Sequence, residues 1–477
     1  MFPKNTPYLN VSGDYEDEII NIRLNEKPFK VKFPKYIWNG LKNDVKDSII
    51  DHIAFLSTNH LPLLLGNQGI IYGTRRPAYD CISYKSIIND LPSSADLDGK
   101  TSIDYLRQYM NLDFIFKNDE AVVWSQSYKP EKRAIISFTS GKESLLTLGL
   151  CLDLGIEPIL LNVIEPSNTY EYAHRKKLLQ KLKREQGIEY HFVYNEPGWF
   201  KDANYMGFTP SSLGYGNQLL YYLFLALPFI LKKKIGYLFF GNEYSCDATQ
   251  IDSEGFKSNY CYDQGTNSTM EMDTILRQLT QGAARVGSLV GPLNEIAVIK
   301  CLSEKYPELA KYQLSCFCDE PESKEHRWCC KCSKCARNYA FIKAVGRDPR
   351  DVGFHQNLFV MEKSNLFSIF GKGETYGFDR SGLGKDEQEL ALYLASLRED
   401  NEFLNAFKKQ CRYNTEPNGY QLLKKDYEFY FSAHEYPAIP RELKDRLLSI
   451  FNNVLLKSSD KLTNTSSENK ISHKDPA

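Results

Sequence analysis

The sequence predicts an α/β protein whose main domain is a parallel sheet, preceded by a smaller α+β domain and followed by a mostly helical region. From Ala134 onward, short apolar runs alternate with helical stretches, which is typical of parallel strands joined by crossover helices. The 477 residues are 42% hydrophobic and 25% charged. This globular composition excludes a mainly disordered, collagen-like or coiled-coil protein, and the length allows two or three domains.

Composition shifts divide the chain into four predicted parts. They are an N-terminal α/β domain over residues 1–128, a ligand-binding domain over 129–345, a helical C-terminal region over 346–457 and a disordered tail over 458–477. The N-terminal part contains two strand-like runs, 17–24 and 28–33, and an amphipathic helix over 41–55. The tail is polar and almost free of large apolar groups, so it lacks the means to form a core.

The elements of the central part follow one another in a regular order. We predict strands at 134–138, 158–164, 189–194 and 236–240, and helices at 144–154, 169–186, 215–231, 293–304 and 335–345. The most apolar stretch, 219–231, is shorter than the ~20 residues that span a bilayer. We therefore expect a buried core helix there and no association with a membrane.

Charge and cysteine usage narrow the partners and the compartment. The 59 Lys and Arg residues balance 60 Asp and Glu residues, for a net charge of -1, which argues against nucleic acid as a partner. The N-terminus has no apolar signal core. Six of the 12 cysteines lie between Cys316 and Cys335, so we predict a cytoplasmic protein with a metal site rather than a disulfide framework. Homo-oligomer formation is left open.

The first chemical signal is a polar turn between a strand and a helix. Thr139, Ser140 and Gly141 are small enough for backbone N–H groups to converge on an anion, and the helix that follows adds its N-terminal donors. Lys142 could neutralise phosphate charge. The turn is no Walker loop, since Glu143 stands where that pattern needs Ser or Thr. The alternative is an ordinary strand–turn–helix with polar punctuation.

The second signal is the spacing C-x12-C-x2-C-x2-C, formed by Cys316, Cys329, Cys332 and Cys335. Four thiolates close a tetrahedral shell around Zn²⁺ and leave no open position, so the site would be structural. Free buried cysteines and an iron–sulfur cluster remain as alternatives.

The loop Thr139–Ser144 resembles the Ser-Gly-Gly-x-Asp-Ser signature of the PP-loop ATP pyrophosphatases. Thr139 and Ser140 replace its Ser and first Gly, Glu143 replaces its Asp, and Gly141 and Ser144 match. The combination with the cysteine motif is similar to 7-cyano-7-deazaguanine synthases. It resembles more closely the ATP-dependent UDP-N-acetylmuramoyl-L-alanyl-L-glutamate epimerase family.

Two further motifs carry the epimerase resemblance, which covers roughly residues 130–400. They are Gly241-Asn-Glu-Tyr-Ser245 and Ser315-Cys316 followed by Trp328-Cys-Cys-Lys-Cys-Ser-Lys-Cys335. Cys330 stands where the family's zinc motif has Gly. A polar run of the family appears only loosely at 262–268, which leaves the exact substrate open.

The resemblance implies a PP-loop (HUP-type) domain with a zinc knuckle, and ATP, Mg²⁺ and structural Zn²⁺ as cofactors. The enzyme would activate a small-molecule or peptide carboxylate with release of AMP and pyrophosphate. For the epimerase family this is an isomerase step at a terminal glutamate, in cell wall biogenesis. The implied nucleotide-binding residues are Thr139, Ser140, Gly141, Lys142, Glu143, Ser144, Asn162, Gly241 and Asn242.

Catalytic roles fall to Lys142 and to Glu243, which follows a strand directly and could meet Mg²⁺ or a ribose. Arg277 or Arg285 could hold a substrate carboxylate. The alternatives for these residues are a solvated loop acid and surface arginines.

Two other functions remain open. One is a deazapurine-type, ligase-like enzyme that forms an amide or nitrile, or that modifies a macromolecule. The other is a catalytically degenerate PP-loop scaffold. Sulfur transfer to tRNA is less favoured, because it usually needs a free persulfide cysteine.

Overall fold

A computed structural model describes residues 6–167, 170–371 and 384–456. The chain is an α/β protein built around one ten-stranded, mostly parallel sheet and a separate two-stranded ribbon, β10–β11. Its strands are β1 Tyr8–Glu16, β2 Ile19–Leu24, β3 Lys27–Lys32, β4 Gly69–Arg75, β5 Asp113–Asn118, β6 Glu131–Ser137, β7 Glu157–Ile164, β8 Glu189–Asn195, β9 Ile235–Phe239, β10 Gln250–Ile251, β11 Lys257–Ser258 and β12 Arg285–Gly287.

The helices of the described residues lie between these strands and after them. They are α1 Lys35–Trp38, α2 Asn43–Thr58, α3 Leu61–Leu65, α4 Asp80–Asp98, α5 Ser102–Met110, α6 Lys142–Asp153, α7 Glu171–Gln186, α8 Ala203–Met206, α9 Gln218–Lys233, α10 Thr266–Leu279, α11 Glu295–Lys305, α12 Pro307–Ala310, α13 Ser333–Ala344, α14 Lys385–Ser396, α15 Glu402–Lys408, α16 Arg412–Thr415, α17 Gly419–Tyr430 and α18 Lys444–Leu455. Five of these helices, α14 to α18, lie in the described residues 384–456.

One half of the sheet has the order β12-β9-β6-β7-β8, and all of its strands are parallel. The chain starts in the middle at β6, runs outward to β8, and then crosses back to β9 and β12. The strand order thus reverses between β6 and β9. In open α/β sheets a crevice forms at such a point, outside the carboxyl ends of the strands.

The N-terminal part continues the same sheet. Strand β3 pairs antiparallel with β8, through Val31 opposite Asn195, and β2, β1, β4 and β5 follow outward. The predicted boundary near residue 128 therefore does not separate two sheets. We expected a small lead-in domain there, and the structure shows the second half of one continuous layer.

Helices cover the parallel half of the sheet on both faces. Along β6, Ala134 and Ile136 pack into a core with α6, α11 and α13, whereas Ile135 packs into a second core with α2 and α9. This alternation is the period of two that a strand buried on both faces requires. The apolar stretch predicted at 215–231 is α9, which is buried against the sheet and beside α2.

The sequence predicted the strands and helices of the regular α/β segment better than the elements around it. Helices α4 and α10 were not predicted, and α4 buries serines such as Ser83 and Ser94 beside the apolar residues Ile87, Leu91 and Ala95. The stretch 372–378 and the tail 458–477 lie outside the described residues. None of the helices in the described ranges is long and apolar enough to cross a membrane.

We expect Trp38→Ala to lower the free energy of unfolding by about 3–5 kcal/mol, as large aromatic truncations in cores do. Trp38 is fully buried and stacks on Phe33, with ring centroids 5.2 Å apart. Phe33 in turn contacts Phe229 of α9 at 6.2 Å. Chemical denaturation is the measurement.

The matched control is Tyr36→Ala in the same short helix, because Tyr36 is 52% exposed. It should change the unfolding free energy by only about 0.5 kcal/mol. Equal losses in the two variants would show that this contact does not join the N-terminal part to the rest of the fold.

Candidate functional site

The loop after β6 lies at the point where the strand order reverses, beside the loop after β9. Gly241 of the second loop packs against the first turn of α6, and a Cβ on Gly241 would stand 2.8 Å from Cβ of Glu143. Glycine is therefore needed at position 241 for close approach, not for an unusual backbone angle. The structure brings together the two sequence segments that were predicted to bind one ligand.

Ser140 gives the first loop its shape. Its φ is 61°, in the left-handed region that favours glycine, and its carbonyl oxygen accepts a 2.7 Å hydrogen bond from the Leu314 N–H. The side chain is fully buried, and its hydroxyl has no hydrogen-bond partner among the described residues. Such an orphan hydroxyl costs free energy, about 1–3 kcal/mol.

Lys142 begins α6 directly after its N-cap, Gly141, and its side chain is buried. The ammonium lies 2.7 Å from Oε2 of Glu295 and also contacts Glu143. Burial alone would lower the pKa of this lysine, but the carboxylates of Glu143 and Glu295 outweigh it and raise the pKa. Lys142 is thus a permanently charged group at the start of the helix.

Glu295 links this lysine to a second buried cation. It is the first residue of α11, and its Oε2 lies 3.5 Å from Nε of Arg337 in α13. Burial tends to raise the pKa of Glu295, whereas Arg337 and Lys142 lower it to about 2. The row Lys142–Glu295–Arg337 therefore joins three helices through buried charges.

Glu243 lies next to this row. It is buried, and its Oε2 accepts a 2.7 Å hydrogen bond from the Ser245 N–H. Burial and repulsion from Glu295 raise its pKa to about 7, although Lys142 pulls it down. A carboxyl that titrates near neutrality in a crevice is a candidate for proton transfer or for metal binding.

Glu387 of α14 is a further member of the cluster that sequence reasoning missed. It is buried, and it accepts a 2.7 Å hydrogen bond from the Ile296 N–H. Burial, Glu295 and Glu243 raise its pKa well above the usual range. Nothing in the sequence distinguishes this glutamate from the other acids of the stretch 384–389.

Two asparagines that were predicted to bind nucleotide, Asn162 and Asn242, form hydrogen bonds beside the two loops. Nδ2 of Asn162 in β7 donates a 2.5 Å hydrogen bond to the Phe138 carbonyl, where the first loop begins. Nδ2 of Asn242 donates to Oγ1 of Thr269 in α10 at 3.0 Å. Both amides are buried, so the geometry gives each of them a role in holding backbone.

The two predicted arginines have different surroundings. Arg285 forms a bidentate ion pair with Asp273, at 2.9 and 3.0 Å, and stands at the start of β12, away from its carboxyl end. Arg277 is exposed near the end of α10. Substrate binding by either residue stays a prediction, and the pair with Asp273 gives Arg285 a structural partner.

The four predicted cysteines come together as one buried group. Cys316, Cys329, Cys332 and Cys335 place their sulfur atoms within 4.8 Å of one another. The closest pairs are 3.8 Å for Cys329 with Cys335 and 4.0 Å for Cys316 with Cys332. A tetrahedral site with Zn–S bonds of ~2.3 Å needs sulfurs about 3.8 Å apart, so the cluster fits a structural metal ion such as zinc.

Backbone amides complete the surroundings of this group. The N–H groups of Cys318 and Cys329 donate to Sγ of Cys316 at 3.3 and 3.4 Å, and that of Lys331 donates to Sγ of Cys329 at 3.3 Å. Such donors stabilise thiolates. In the part of the chain that the structure describes, no other group of His, Cys, Asp or Glu side chains meets the same criterion for a metal site.

Cys330 does not belong to the metal shell. Its φ is 58°, so it turns the backbone between Cys329 and Cys332 in the left-handed region, and its Sγ lies 3.7 Å from Nδ1 of His355. This is the position at which the resembling zinc motif has glycine, and the backbone angle explains why glycine suits it.

Comparison with known proteins adds no family assignment, because no protein-family model and no curated protein matches the chain. The functional argument therefore depends on the site itself. The site contains the N–H donors of a helix N-terminus, one buried ammonium group and more carboxyl groups than cations. These groups lie at the carboxyl ends of the parallel strands.

We expect one Zn²⁺ per chain in the purified protein, and loss of that metal in Cys332→Ala, since a three-sulfur shell is open. Elemental analysis checks both. Cys330→Gly is the control: it removes a neighbouring cysteine, and it should keep the metal and raise the unfolding free energy by about 1 kcal/mol by relieving the left-handed strain. Equal zinc loss in both variants, or no zinc in either, would contradict the assignment.

We expect Glu295→Gln to lower the unfolding free energy near pH 7 by about 3–5 kcal/mol, because it leaves Lys142 and Arg337 without their buried partner. The pKa of about 2 in the folded protein lies below the ordinary glutamate value of 4.5. This group therefore stabilises the fold above pH 4.5, by about 3 kcal/mol, and the contribution is lost as the pH falls toward 2.

Urea titrations between pH 2 and pH 7 measure this effect. The acid-side loss of stability should be shallower in Glu295→Gln than in the wild type. Glu308→Gln, at an exposed glutamate, should reproduce the wild-type curve. Parallel curves for wild type and Glu295→Gln would rule out the proposed charge row as a source of stability.

Proposed function

We propose that the protein is an ATP-dependent enzyme that activates a carboxylate as an acyl adenylate and inverts the adjacent stereocentre. The supporting observation is the loop 138–144, which stands at the strand-order reversal with the N-terminus of the twelve-residue helix α6 behind it. This placement suits a phosphate group. Lys142 supplies a positive charge that burial has not neutralised.

The backbone angles at two substituted glycines support the PP-loop and zinc-knuckle assignment. Ser140 stands for the first glycine of the resembling loop, and Cys330 stands for the glycine of the resembling zinc motif. Both have φ near 60°, an angle that costs other residues about 1–2 kcal/mol. At both positions this chain therefore has the backbone conformation that favours glycine, although the residue is not glycine.

In this proposal the phosphates of ATP lie over the first turn of α6 and along Gly141. Gly141 has φ -67° and ψ 162°, which any residue can adopt, so its small size is what matters. A Cβ there would come within 3.2 Å of Oγ1 of Thr139. Lys142 would exchange its contact with Glu143 for the phosphates and keep Glu295, which holds its Nζ in place.

Mg²⁺ would be bound by Glu243 together with phosphate oxygens, since Mg²⁺ usually takes one or two protein carboxylates and keeps several waters. Glu243 has to be ionised for this, and its pKa of about 7 means that the metal replaces a proton near neutrality. Glu387 lies beside it, and burial together with Glu295 and Glu243 raises the pKa of Glu387, which favours its neutral form and lowers the repulsion.

The chemistry then has three balanced steps. A substrate carboxylate oxygen attacks the α-phosphorus, the α–β phosphoanhydride bond breaks, and pyrophosphate leaves with the bonding electrons. The acyl adenylate has a more acidic α-proton than a carboxylate, so a modest base removes it, and a proton returns to the opposite face. Water hydrolyses the acyl adenylate and releases AMP and the inverted acid. The epimerase resemblance makes a terminal glutamate the preferred acid.

In this proposal the remainder of the substrate binds in a polar cleft. A cleft of about 150 Å³ lies between α4 and the segment 247–267 and is lined by polar side chains, including Lys85, Lys257 and Asn267. The 3₁₀ helix Tyr244–Asp247 begins directly after Glu243, and its last residue, Asp247, lines the cleft.

The test is incubation of the full chain with ATP, Mg²⁺ and UDP-N-acetylmuramoyl-L-alanyl-L-glutamate in D₂O. We expect AMP, pyrophosphate, inversion at the glutamate and one deuterium at its α-carbon. Gly141→Val should keep the fold, because its backbone angle is ordinary, and should lose roughly 100-fold or more in rate because the side chain fills the space for phosphate.

Cys81→Ser, at an exposed cysteine, is the control and should match the wild type. AMP without deuterium would point to amidation or acyl transfer instead of epimerisation. No AMP with any of a panel of carboxylates would refute the enzyme and favour the scaffold.

A further inference from the structure

We infer that the four-cysteine centre positions the phosphate loop, so that metal occupancy and ATP binding strengthen each other. The inference rests on the proposed function for its ATP arm, but the loop arm can be measured without ATP. Two separate paths of contacts connect the centre to the loop.

The first path is a direct backbone contact. The Leu314 N–H donates to the Ser140 carbonyl at 2.7 Å, and Oγ of Ser315 lies 3.4 Å from where a Cβ of Gly141 would be. The next residue, Cys316, is a sulfur ligand of the centre. Only one residue thus separates the hydrogen bond that holds the strained Ser140 from the metal shell.

The second path runs through a helix. Cys332 is the N-cap residue of α13 and Cys335 lies in its first turn, so two of the four ligands fix the start of this helix. Arg337 follows two residues later and faces Glu295 at 3.5 Å. Glu295 holds Lys142 at 2.7 Å, and Lys142 belongs to the loop and is the first residue of α6.

The two paths are also joined to each other. Nε2 of Gln313 donates to Oδ1 of Asn338 at 3.1 Å, and both side chains are buried. This bond joins the strand-like segment before Cys316 to α13 beyond Cys335. The metal links the cysteines at the ends of both paths, so the contacts form a closed circuit around the base of the loop. Without the metal this circuit is open, and we expect it to hold the loop less firmly.

Ser140 supplies the energetic reason why the loop needs this support. A left-handed serine with an unpartnered buried hydroxyl is disfavoured by its own backbone and by desolvation. Such a residue persists only where the surroundings fix it. Without the metal the Leu314–Ser140 bond loses its anchor, and we expect the loop to relax to a conformation that binds phosphate less well.

Thermodynamic linkage makes the coupling measurable from both ends. If the metal raises the affinity for ATP by some factor, ATP raises the affinity for the metal by the same factor. We expect a factor of at least about 5, the lower end of typical couplings.

The first experiment uses the full chain loaded with Co²⁺ in place of Zn²⁺. Addition of ATP should perturb the visible spectrum of the tetrathiolate site and should raise the metal affinity, measured by competition with a chelator at equilibrium, at least about fivefold. Gly141→Val should show neither effect. The Zn²⁺ protein, followed by a colorimetric chelator, should give the same ratio.

The second experiment is hydrogen exchange with and without metal, in the absence of ATP. Metal removal should speed exchange at Leu314 and across 142–147, whereas α2 and the strands β1–β5 keep their protection. Arg337→Met should retain the metal and lose protection at 142–147 alone, and Arg337→Lys should restore it. The rescue distinguishes positioning by charge from a general loss of packing.

The outcomes separate this inference from the proposed function. If ATP binds but does not change metal binding, and metal removal does not change the protection of the loop, the coupling is wrong and the enzyme proposal stands. If ATP does not bind but the loop loses protection on metal removal, the enzyme proposal fails and the positioning role stands. If metal removal unfolds the whole chain, the effect of ATP on metal binding decides.

Discussion

The buried charge row Lys142–Glu295–Arg337 is the interaction on which the candidate site depends. Breaking a buried ion pair by removing one member typically costs about 3–5 kcal/mol, although an apolar replacement of the whole pair can be neutral. The row is therefore poorly explained as a stabilising device alone. What it provides is position, because it fixes the first residue of α6, the first residue of α11 and the second turn of α13 relative to one another.

The fold explains why these three helix starts can meet. Helices α6 and α11 lie in the same core, on one face of the parallel half-sheet, together with α13. Because β6 and β9 are parallel neighbours, the loops that follow them emerge at one edge of the sheet, where the strand order reverses. The charged row lies directly beneath that edge, so the fixed helices set the shape of the loops.

The sequence predicted the parts of this arrangement that leave a local signal. Alternating apolar runs revealed β6 to β9, the small residues at 139–141 marked the loop, and the cysteine spacing predicted a group that the structure brings within 4.8 Å. These signals are local because each depends on residues a few positions apart. The continuous sheet is different: the pairing of Val31 with Asn195 joins strands more than 160 residues apart, and no spacing rule encodes it.

Outside the first loop, only the member of the acidic cluster that directly follows a strand could be predicted from the sequence. Glu243 comes directly after β9, so its place at the edge could be predicted. Glu295 and Glu387 lie in helices among other acids, and only the packing of α11 and α14 shows that they are buried beside Lys142. Arg337 likewise lies in a helix in which the sequence singled out only the cysteines as candidate site residues. Burial, rather than residue type, separates a glutamate of this cluster from a solvated one.

The cluster holds more acids than cations. Four glutamates, Glu143 among them, surround two buried cations, and burial together with repulsion between the acids raises the pKa of Glu243 to about 7 and that of Glu387 well above its usual range. A raised carboxyl pKa means that ionisation costs the folded state free energy, so this part of the site weakens the fold as the pH rises from about 4.5 to 7. A divalent cation at Glu243 would remove that cost by taking the place of the proton. The same carboxyl that destabilises the protein on its own would then stabilise the complex, which is the trade between stability and function expected of a binding site.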